Sequence, residues 1–304
     1  MKIKFAYIWI IVGAALWGHI GIFVRGLSEI GFSALQIVTL RILTAAIILL
    51  TYVYFKDRKQ LIIKLKDSIY FVGTGIFSIV FFSWCYFTAM EETSLTIAVI
   101  LLYTAPAFVT ILSRIIFKEY FTKKKLFSLL VTLIGIILVI GYTPGENISL
   151  YGLVVGLGSG FGYALYSIFG KAALNKYSTL TTTTYTFLLA SIAIFPFSGL
   201  WRMTAEFNEG ISWLYVIGLG LIPTALAYIF YTKGLSQIEP SRASITATVE
   251  PVVATLVGVL YFKESLALWQ FIGILLVLTA VLLVQDSKEQ ANKVVNMEHL
   301  KEQE

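Results

Sequence analysis

Residues 243–264 read ASITATVEPVVATLVGVLYFKE, and residues 98–119 read AVILLYTAPAFVTILSRIIFKE. Placed one above the other, the two stretches share an alanine, an isoleucine, a proline, a threonine and a closing Phe-Lys-Glu triplet. The correspondence continues without a gap from residues 70–139 onto residues 215–284, at a constant offset of 145. Apolar residues often match by chance, but matched glycines, prolines and a charged triplet are harder to explain that way. The chain is therefore predicted to contain two copies of one unit.

The composition places both copies in a membrane. Of the 304 residues, 58% are apolar and 13% are charged, whereas soluble domains carry about 25% charged residues. Because so few charges cannot cover a soluble globule, we expect the outer surface to face lipid. The net charge of +6 comes from basic residues in short loops, a pattern typical of topology signals and not of nucleic-acid binding. Cys85 is the only cysteine, which excludes an intramolecular disulfide.

Ten apolar runs are long enough to cross a bilayer as helices, which takes about 20 residues each. They cover residues 5–24, 34–55, 68–89, 94–117, 125–142, 150–171, 180–200, 211–232, 240–262 and 267–285. Five runs fall in each copy, and because five is odd, the second copy enters the membrane the other way up. We therefore expect an all-α membrane protein of ten transmembrane helices in two inverted five-helix repeats, with the substrate site at their interface. The repeats are residues 1–145 and 146–286, and residues 287–304 form a polar cytoplasmic tail.

The loop charges predict the orientation of the chain. Lysine and arginine collect in the second, fourth and sixth loops, whereas the third, fifth and seventh loops carry mainly acidic residues (Glu91, Glu92, Glu146, Glu206 and Glu209). The even-numbered loops are therefore predicted to be cytoplasmic. With ten spans, both termini of this multi-pass protein of the cell membrane are then cytoplasmic as well.

The repeated residues also resemble a known family. Residues 246–251 (TATVEP), Phe262-Lys263-Glu264 and residues 270–273 (QFIG) in the second copy, and residues 101–106 (LLYTAP) in the first, look like the two EamA domains of the drug/metabolite transporter superfamily. The Trp17-Gly18 pair fits as well, and the resemblance covers nearly all of residues 5–285. It implies a ten-helix carrier of small metabolites, often an exporter of amino acids or related compounds. The family is broad in substrate, so the resemblance indicates a class and no single ligand.

Glu250 is the sharpest candidate for function. It lies about ten residues into the ninth run, which at 1.5 Å per residue places it near the bilayer centre. An ionisable group there is costly unless it is paired, neutralised or hydrated. We interpret Glu250 as a proton-coupling or cation-binding group; the alternative is a structural pair with Arg41 or His19. Its counterpart in the first copy is Ala105, so the carboxyl group breaks the repeat.

Four further residues inside the runs are candidates. Arg41 lies some seven residues into the second run and is expected to pair with Glu250 or with a substrate carboxylate. Histidine side chains in general change charge near neutral pH, so His19 is a candidate proton relay, with ordinary packing as the alternative. Pro106 and Pro251 occupy matched places and are predicted to kink their helices, either as gating hinges or as inert bends.

Aromatic residues make up 15% of the chain. Several lie inside the runs, away from the interfacial belts where such residues usually collect. Together with Glu250 they predict an aromatic box for an organic cation or an aromatic amino acid, although ordinary packing explains any one of them. The predicted members are Trp17, Trp84, Tyr103, Tyr163, Tyr166 and Tyr228.

These patterns together predict a secondary-active transporter of small metabolites (amino acids, amines or related compounds) that works by alternating access with possible proton coupling. We expect a monomer or homodimer in the lipid bilayer, with no enzymatic activity, cofactor, metal or nucleic-acid partner. Runs five and ten are expected to be peripheral or dimer-forming. The alternatives from other classes are a channel and a membrane-embedded lipid-modifying enzyme. The sequence leaves the substrate, the coupling ion and the direction of transport open.

Overall fold

The computed structural model describes residues 2–141, 149–203, 207 and 210–285. The predicted tail, residues 287–304, lies outside the described residues. So do Glu146, Glu206 and Glu209, on which part of the predicted orientation depends.

The described chain forms helical segments, which we number α1 to α10 in chain order. Five of these segments consist of successive helical pieces. The segments are α1 (Lys2–Gly18 and Ile20–Ile30), α2 (Ala34–Asp57), α3 (Ser68–Val72, Gly73–Val80 and Phe81–Glu92), α4 (Leu95–Leu102 and Ala105–Ile116), α5 (Lys123–Ile140), α6 (Leu150–Leu174), α7 (Thr179–Ile194), α8 (Gly210–Gly220, Leu221–Leu226 and Ala227–Leu235), α9 (Pro240–Ala247 and Val249–Leu260) and α10 (Leu268–Gln285).

Within the described residues, nine helical stretches are long and apolar enough to cross a membrane. They correspond to nine of the ten runs that the sequence predicts. The fifth run corresponds to α5, whose 18 residues begin with Lys123, Lys124 and Lys125. Three charges in the first turn set α5 apart from the nine apolar stretches, although the rest of this helix is apolar.

Serine and threonine side chains define where several helices begin. Ser33, Ser94, Thr122, Ser149 and Ser178 each accept a hydrogen bond from a backbone N–H of the first helical turn that follows. Such N-caps satisfy donors that the helix itself leaves free. This need is acute in a membrane protein, because lipid offers no partner for an unpaired backbone group.

Irregular features recur at matched places in the two halves. Segments α3 and α8 are wound as π-helix over Gly73–Val80 and Leu221–Leu226. Segments α4 and α9 are interrupted just before Ala105 and Val249. Beyond their ends, Lys118 and Lys263 adopt left-handed backbone conformations, with φ of 56° and 61°. The repeated sequence therefore encodes repeated interruptions as well as repeated helices.

The first helix of each half packs against helices of the other half. Segment α1 packs on α8 and α9, and α6 packs on the equivalent pair, α3 and α4. Segment α2 packs on its counterpart α7, and α5 packs on α10. In the last pair the helices approach so closely that a Cβ added to Gly135 would lie 3.0 Å from the carbonyl oxygen of Gly273. The two helices expected to be peripheral or dimer-forming thus cover each other within one chain.

Small residues bring α6 against its two neighbours. A Cβ added to Gly160 would lie 2.5 Å from the Thr104 hydroxyl of α4, and one added to Gly162 would lie 2.9 Å from the Phe81 ring of α3. Glycine is therefore the residue that lets α6 enter the cleft between α3 and α4. That position carries the tyrosines of α6 into the centre of the bundle.

Candidate functional site

Four of the six predicted aromatic residues meet in one cluster. The Trp17 ring lies 4.9 Å from the Tyr228 ring and 6.3 Å from the Tyr163 ring, measured between centroids. Tyr166 lies 4.9 Å from Tyr228, with the planes nearly perpendicular. These edge-to-face contacts match the quadrupoles of the rings and hold them in place. The cluster joins α1, α6 and α8.

The aromatic cluster encloses a small cavity with room for about one water molecule, about 10 Å³. Trp17, Tyr163, Tyr228 and Ser78 are among the residues that line it. The indole Nε1 of Trp17 is buried and has no hydrogen-bond partner among the described residues. Because an unpaired donor in a dry interior is costly, this N–H is available to a bound molecule.

A second cavity of similar size contains Glu250 and lies between α4, α6 and α9. The Tyr163 hydroxyl donates to Oε2 of Glu250 at 3.3 Å. Tyr103 lines the same cavity as this carboxylate. Tyr163 and Ser167 line both cavities, so the two spaces are neighbours. The structure thus brings Tyr103 and Glu250 next to the aromatic cluster.

Arg41 lies close to the same site without pairing to it. Its charge acts on both the Glu250 carboxylate and the Tyr228 hydroxyl. In the described part of the chain, however, neither Arg41 nor His19 forms an ion pair with Glu250. The Nε atom of Arg41 is buried and has no hydrogen-bond partner. The Nδ1 atom of His19 instead lies 2.7 Å from the carbonyl oxygen of Ala15 in its own helix.

The site therefore combines one carboxylate with two unpaired nitrogen donors inside a bundle of apolar helices. Residues 4–141 and 150–285 each match the family model described as the EamA-like transporter family. The chain belongs to the EamA-like transporter family.

Relatives of this EamA-like chain carry transporter names. An uncharacterized transporter of Archaeoglobus fulgidus is 32% identical over 278 residues, covering 90% of this chain and 94% of that protein. The uncharacterized transporter YyaM of Bacillus subtilis is 25% identical, covering 79% and 80%. A crystal structure with 16% identity has a TM-score of 0.78 and covers 95% of this chain and 98% of that one, which shows a shared fold. Family and relatives indicate an integral membrane transporter and point away from an enzyme.

Three of the predicted site residues of this EamA-like transporter need a separate description of where they lie. Trp84 is 56% exposed and lines a separate outer cavity of about 760 Å³. It lies two positions after Phe82, which faces Tyr163, so it points to another side of α3. Pro106 and Pro251 lie in the first turns of the helical pieces that follow the interruptions, not in mid-helix.

Sequence reasoning missed Tyr231, Phe82 and Ser167. The Tyr231 ring lies 5.2 Å from the Trp17 ring, and its hydroxyl lies 2.6 Å from the Ser167 hydroxyl. Phe82 packs edge-on against Tyr163 at 5.7 Å. Helical spacing could have predicted two of these residues. Tyr231 follows Tyr228 by one helical turn, and Ser167 follows Tyr163 by one turn, so each lies on the same helix face as a predicted site residue. No such signal exists for Phe82, whose helix carries the π segment.

Proposed function

We propose that this chain is a secondary-active transporter of small amino compounds that also carry a carboxylate, the amino acid class. The observation that carries the proposal is the charge pattern of the central site. One carboxylate, Glu250, lies within the electrostatic reach of Arg41, yet the two form no ion pair. A ligand with one positive and one negative charge would pair with both the Glu250 carboxylate and the Arg41 guanidinium.

Each end of such a ligand has suitable partners. The ammonium group would bind to the Glu250 carboxylate beside the rings of Tyr103 and Tyr163, where ion pairing and cation–π attraction act together. The carboxylate would accept hydrogen bonds from the Arg41 guanidinium and from Nε1 of Trp17. A simple amine would use only the Glu250 end of the site.

Glu250 also provides a means of proton coupling. A carboxylate in an apolar bundle needs a compensating positive charge or a proton. Substrate ammonium and proton therefore exclude each other at Glu250, and the carrier exchanges one for the other. The gradients of the two species then determine the direction of net transport.

Alternating access would come from two inverted five-helix repeats with ten spans and both termini in the cytoplasm. The matched π segments, the matched interruptions of α4 and α9, and the exchanged packing of α1 and α6 all support this arrangement. So does the close pairing of α5 with α10, because it makes α5 an integral part of the bundle. The lysines that begin α5 fit a helix that starts at the cytoplasmic surface.

Purified protein in proteoliposomes tests the transport class. We expect saturable counterflow of a labelled amino acid, and a thermal-shift panel of amino acids, polyamines and quaternary amines identifies which one to use. Flux that does not saturate, without counterflow, would indicate a channel. Consumption of a lipid or solute would indicate an enzyme.

The coupling role is tested by Glu250→Gln. We expect this variant to lose proton-driven transport and the pH dependence of counterflow, because an amide cannot exchange a proton. Its elution on size exclusion should match that of the original protein. Glu29→Gln serves as the control, since Glu29 is exposed and forms a surface ion pair with Arg25. Unaltered pH dependence in Glu250→Gln would refute the coupling role.

A further inference from the structure

Charged side chains are buried together at one end of the bundle, away from the central site. Glu119 follows the end of α4, Lys125 lies in the first turn of α5, and Glu239 and Arg242 lie at the start of α9. The side chains of Glu119, Lys125 and Arg242 are 5%, 2% and 5% exposed. Buried ionic groups of this kind require close pairing, since desolvation is costly.

The charged groups form a continuous network. Nζ of Lys125 lies 3.1 Å from Oε2 of Glu119 and 3.0 Å from Oε2 of Glu239. Nε of Arg242 lies 2.9 Å from the same Glu239 oxygen, and its NH1 nitrogen donates to the carbonyl oxygen of Val284 at 2.6 Å. The Ser241 hydroxyl donates to Glu119. The network thus ties α4 and α5 of the first half to α9 and α10 of the second.

The surroundings of Glu239 favour its charged form and fix the backbone around it. Burial pushes the pKa of the Glu239 carboxyl upward, but the charges of Lys125 and Arg242 outweigh it and hold that pKa below its ordinary value. Lys171 of α6 donates to the carbonyl oxygens of Leu235 and Ile238, both at 2.8 Å. These bonds fix the connection between α8 and α9, which carries Glu239.

The matched positions of the other half carry no such network within the described residues. Glu264, the counterpart of Glu119, is exposed. Lys125 corresponds to Gln270, whose amide donates to the carbonyl oxygen of Val139 in the pairing of α5 with α10. Glu239 corresponds to Ser94, the N-cap of α4. The two ends of the bundle are therefore closed by different chemistry, although the repeats are otherwise similar.

The network lies next to the central site. Ser244 lines the cavity that contains Glu250, and its hydroxyl donates to the carbonyl oxygen of Ser241. One helical turn thus separates a wall of the cavity from the residue that contacts Glu119. Lysine-rich loops place this end of the bundle at the cytoplasmic surface.

We propose that the cluster of Glu119, Lys125, Glu239, Arg242 and Ser241 is the cytoplasmic gate of this carrier. The proposal rests on the alternating-access function proposed above. The gate closes the site to the cytoplasm, because the Lys125–Glu239 ion pair and the Ser241–Glu119 hydrogen bond cross between the halves that must separate when the site opens inward. The matched positions at the opposite end carry no such ion pairs in the part of the chain that the structure describes, so that end opens more readily and the resting carrier faces outward.

Cysteine labelling tests the gate directly. The reporter is Ser244→Cys in a Cys85→Ala background, treated with a membrane-impermeant maleimide in inside-out vesicles. We expect slow labelling in this protein and labelling about tenfold faster after Glu239→Gln, because tenfold corresponds to about 1.4 kcal/mol, the scale of one charge-assisted hydrogen bond. Glu264→Gln is the matched control and should leave the rate unchanged.

A second pair of variants separates gating from simple loss of packing. Removing one partner leaves a buried charge unpaired, so Glu119→Gln is combined with Lys125→Met, and this double variant should also label quickly. The conservative variant Glu239→Asp keeps the carboxylate between Lys125 and Arg242 and should label more slowly than Glu239→Gln. Slow labelling in every variant, or labelling of Glu239→Asp as fast as that of Glu239→Gln, would overturn the gate. Labelling needs no transport, so a failure of the transport proposal shows separately as absent counterflow.

Discussion

At the scale of single residues, the central site departs from the repeat. Glu250 corresponds to Ala105, and Arg41 corresponds to Thr186. The two halves thus supply similar helices, whereas the charges come from one half each, the carboxylate from the second and the guanidinium from the first. With a carboxylate on one side and a guanidinium on the other, the site would hold a substrate with two different ends in a single orientation.

Arg41 is predicted to set the preference for carboxylate-bearing substrates. Arg41→Met should raise the half-saturating concentration of an amino acid in counterflow at least tenfold, because a charge-assisted hydrogen bond to its carboxylate is lost. Competition by the matching amine, which lacks that carboxylate, should stay the same. Arg25→Met is the control, since Arg25 is 59% exposed and pairs with Glu29. Equal losses for both ligands would contradict this role.

At the scale of elements, interruptions in the helices position the site. Glu250 follows the interruption of α9, and Tyr103 lies at the interruption of α4. Gly18 lies at the junction of the two helices of α1, and a Cβ added to it would lie 2.7 Å from Cβ of Val253 on α9. Close contact at this point keeps Trp17 and Glu250 on facing helices.

The contact at Gly18 gives a prediction about stability. Gly18→Ala should lower the thermal midpoint of the detergent-purified protein, since overpacking of this kind costs about 1–3 kcal/mol. Gly21→Ala is the matched control: a Cβ there meets nothing within 4 Å, so the midpoint should hold or rise slightly because alanine favours a helix. Equal thermal midpoints for the two variants would show that α1 and α9 can move apart around the added Cβ without a loss of stability.

At the scale of the whole molecule, the described structure is closed around its site. Each of the two central cavities has room for about one water molecule, about 10 Å³. Passage of the proposed substrate, an amino acid, would therefore require the halves to move apart. The buried ion pairs of Glu119, Lys125 and Glu239 mark the end where that movement costs more.

The orientation of the whole molecule has its own prediction. With Cys85→Ala as background, Glu91→Cys should react with an impermeant maleimide on intact cells, because Glu91 is exposed and lies on the predicted outer side. Asn175→Cys, exposed in the connection between α6 and α7, should react only after the cells are made permeable. The reverse pattern would place both termini outside and move the charged cluster to the outer surface.

The sequence by itself determined the membrane class, most helix positions, the duplication and the kinds of residue in the site. Hydrophobicity and N-cap chemistry are local, so each span can be read without its neighbours. Only the tertiary structure decided which side chains meet: it brought Tyr231 and Phe82 to Trp17 and Tyr163, left Trp84 outside, and joined Glu119 to Ser241. The physical reason is that such partners lie far apart in the chain, 122 positions in the last case, and that π segments change the side to which the following residues point.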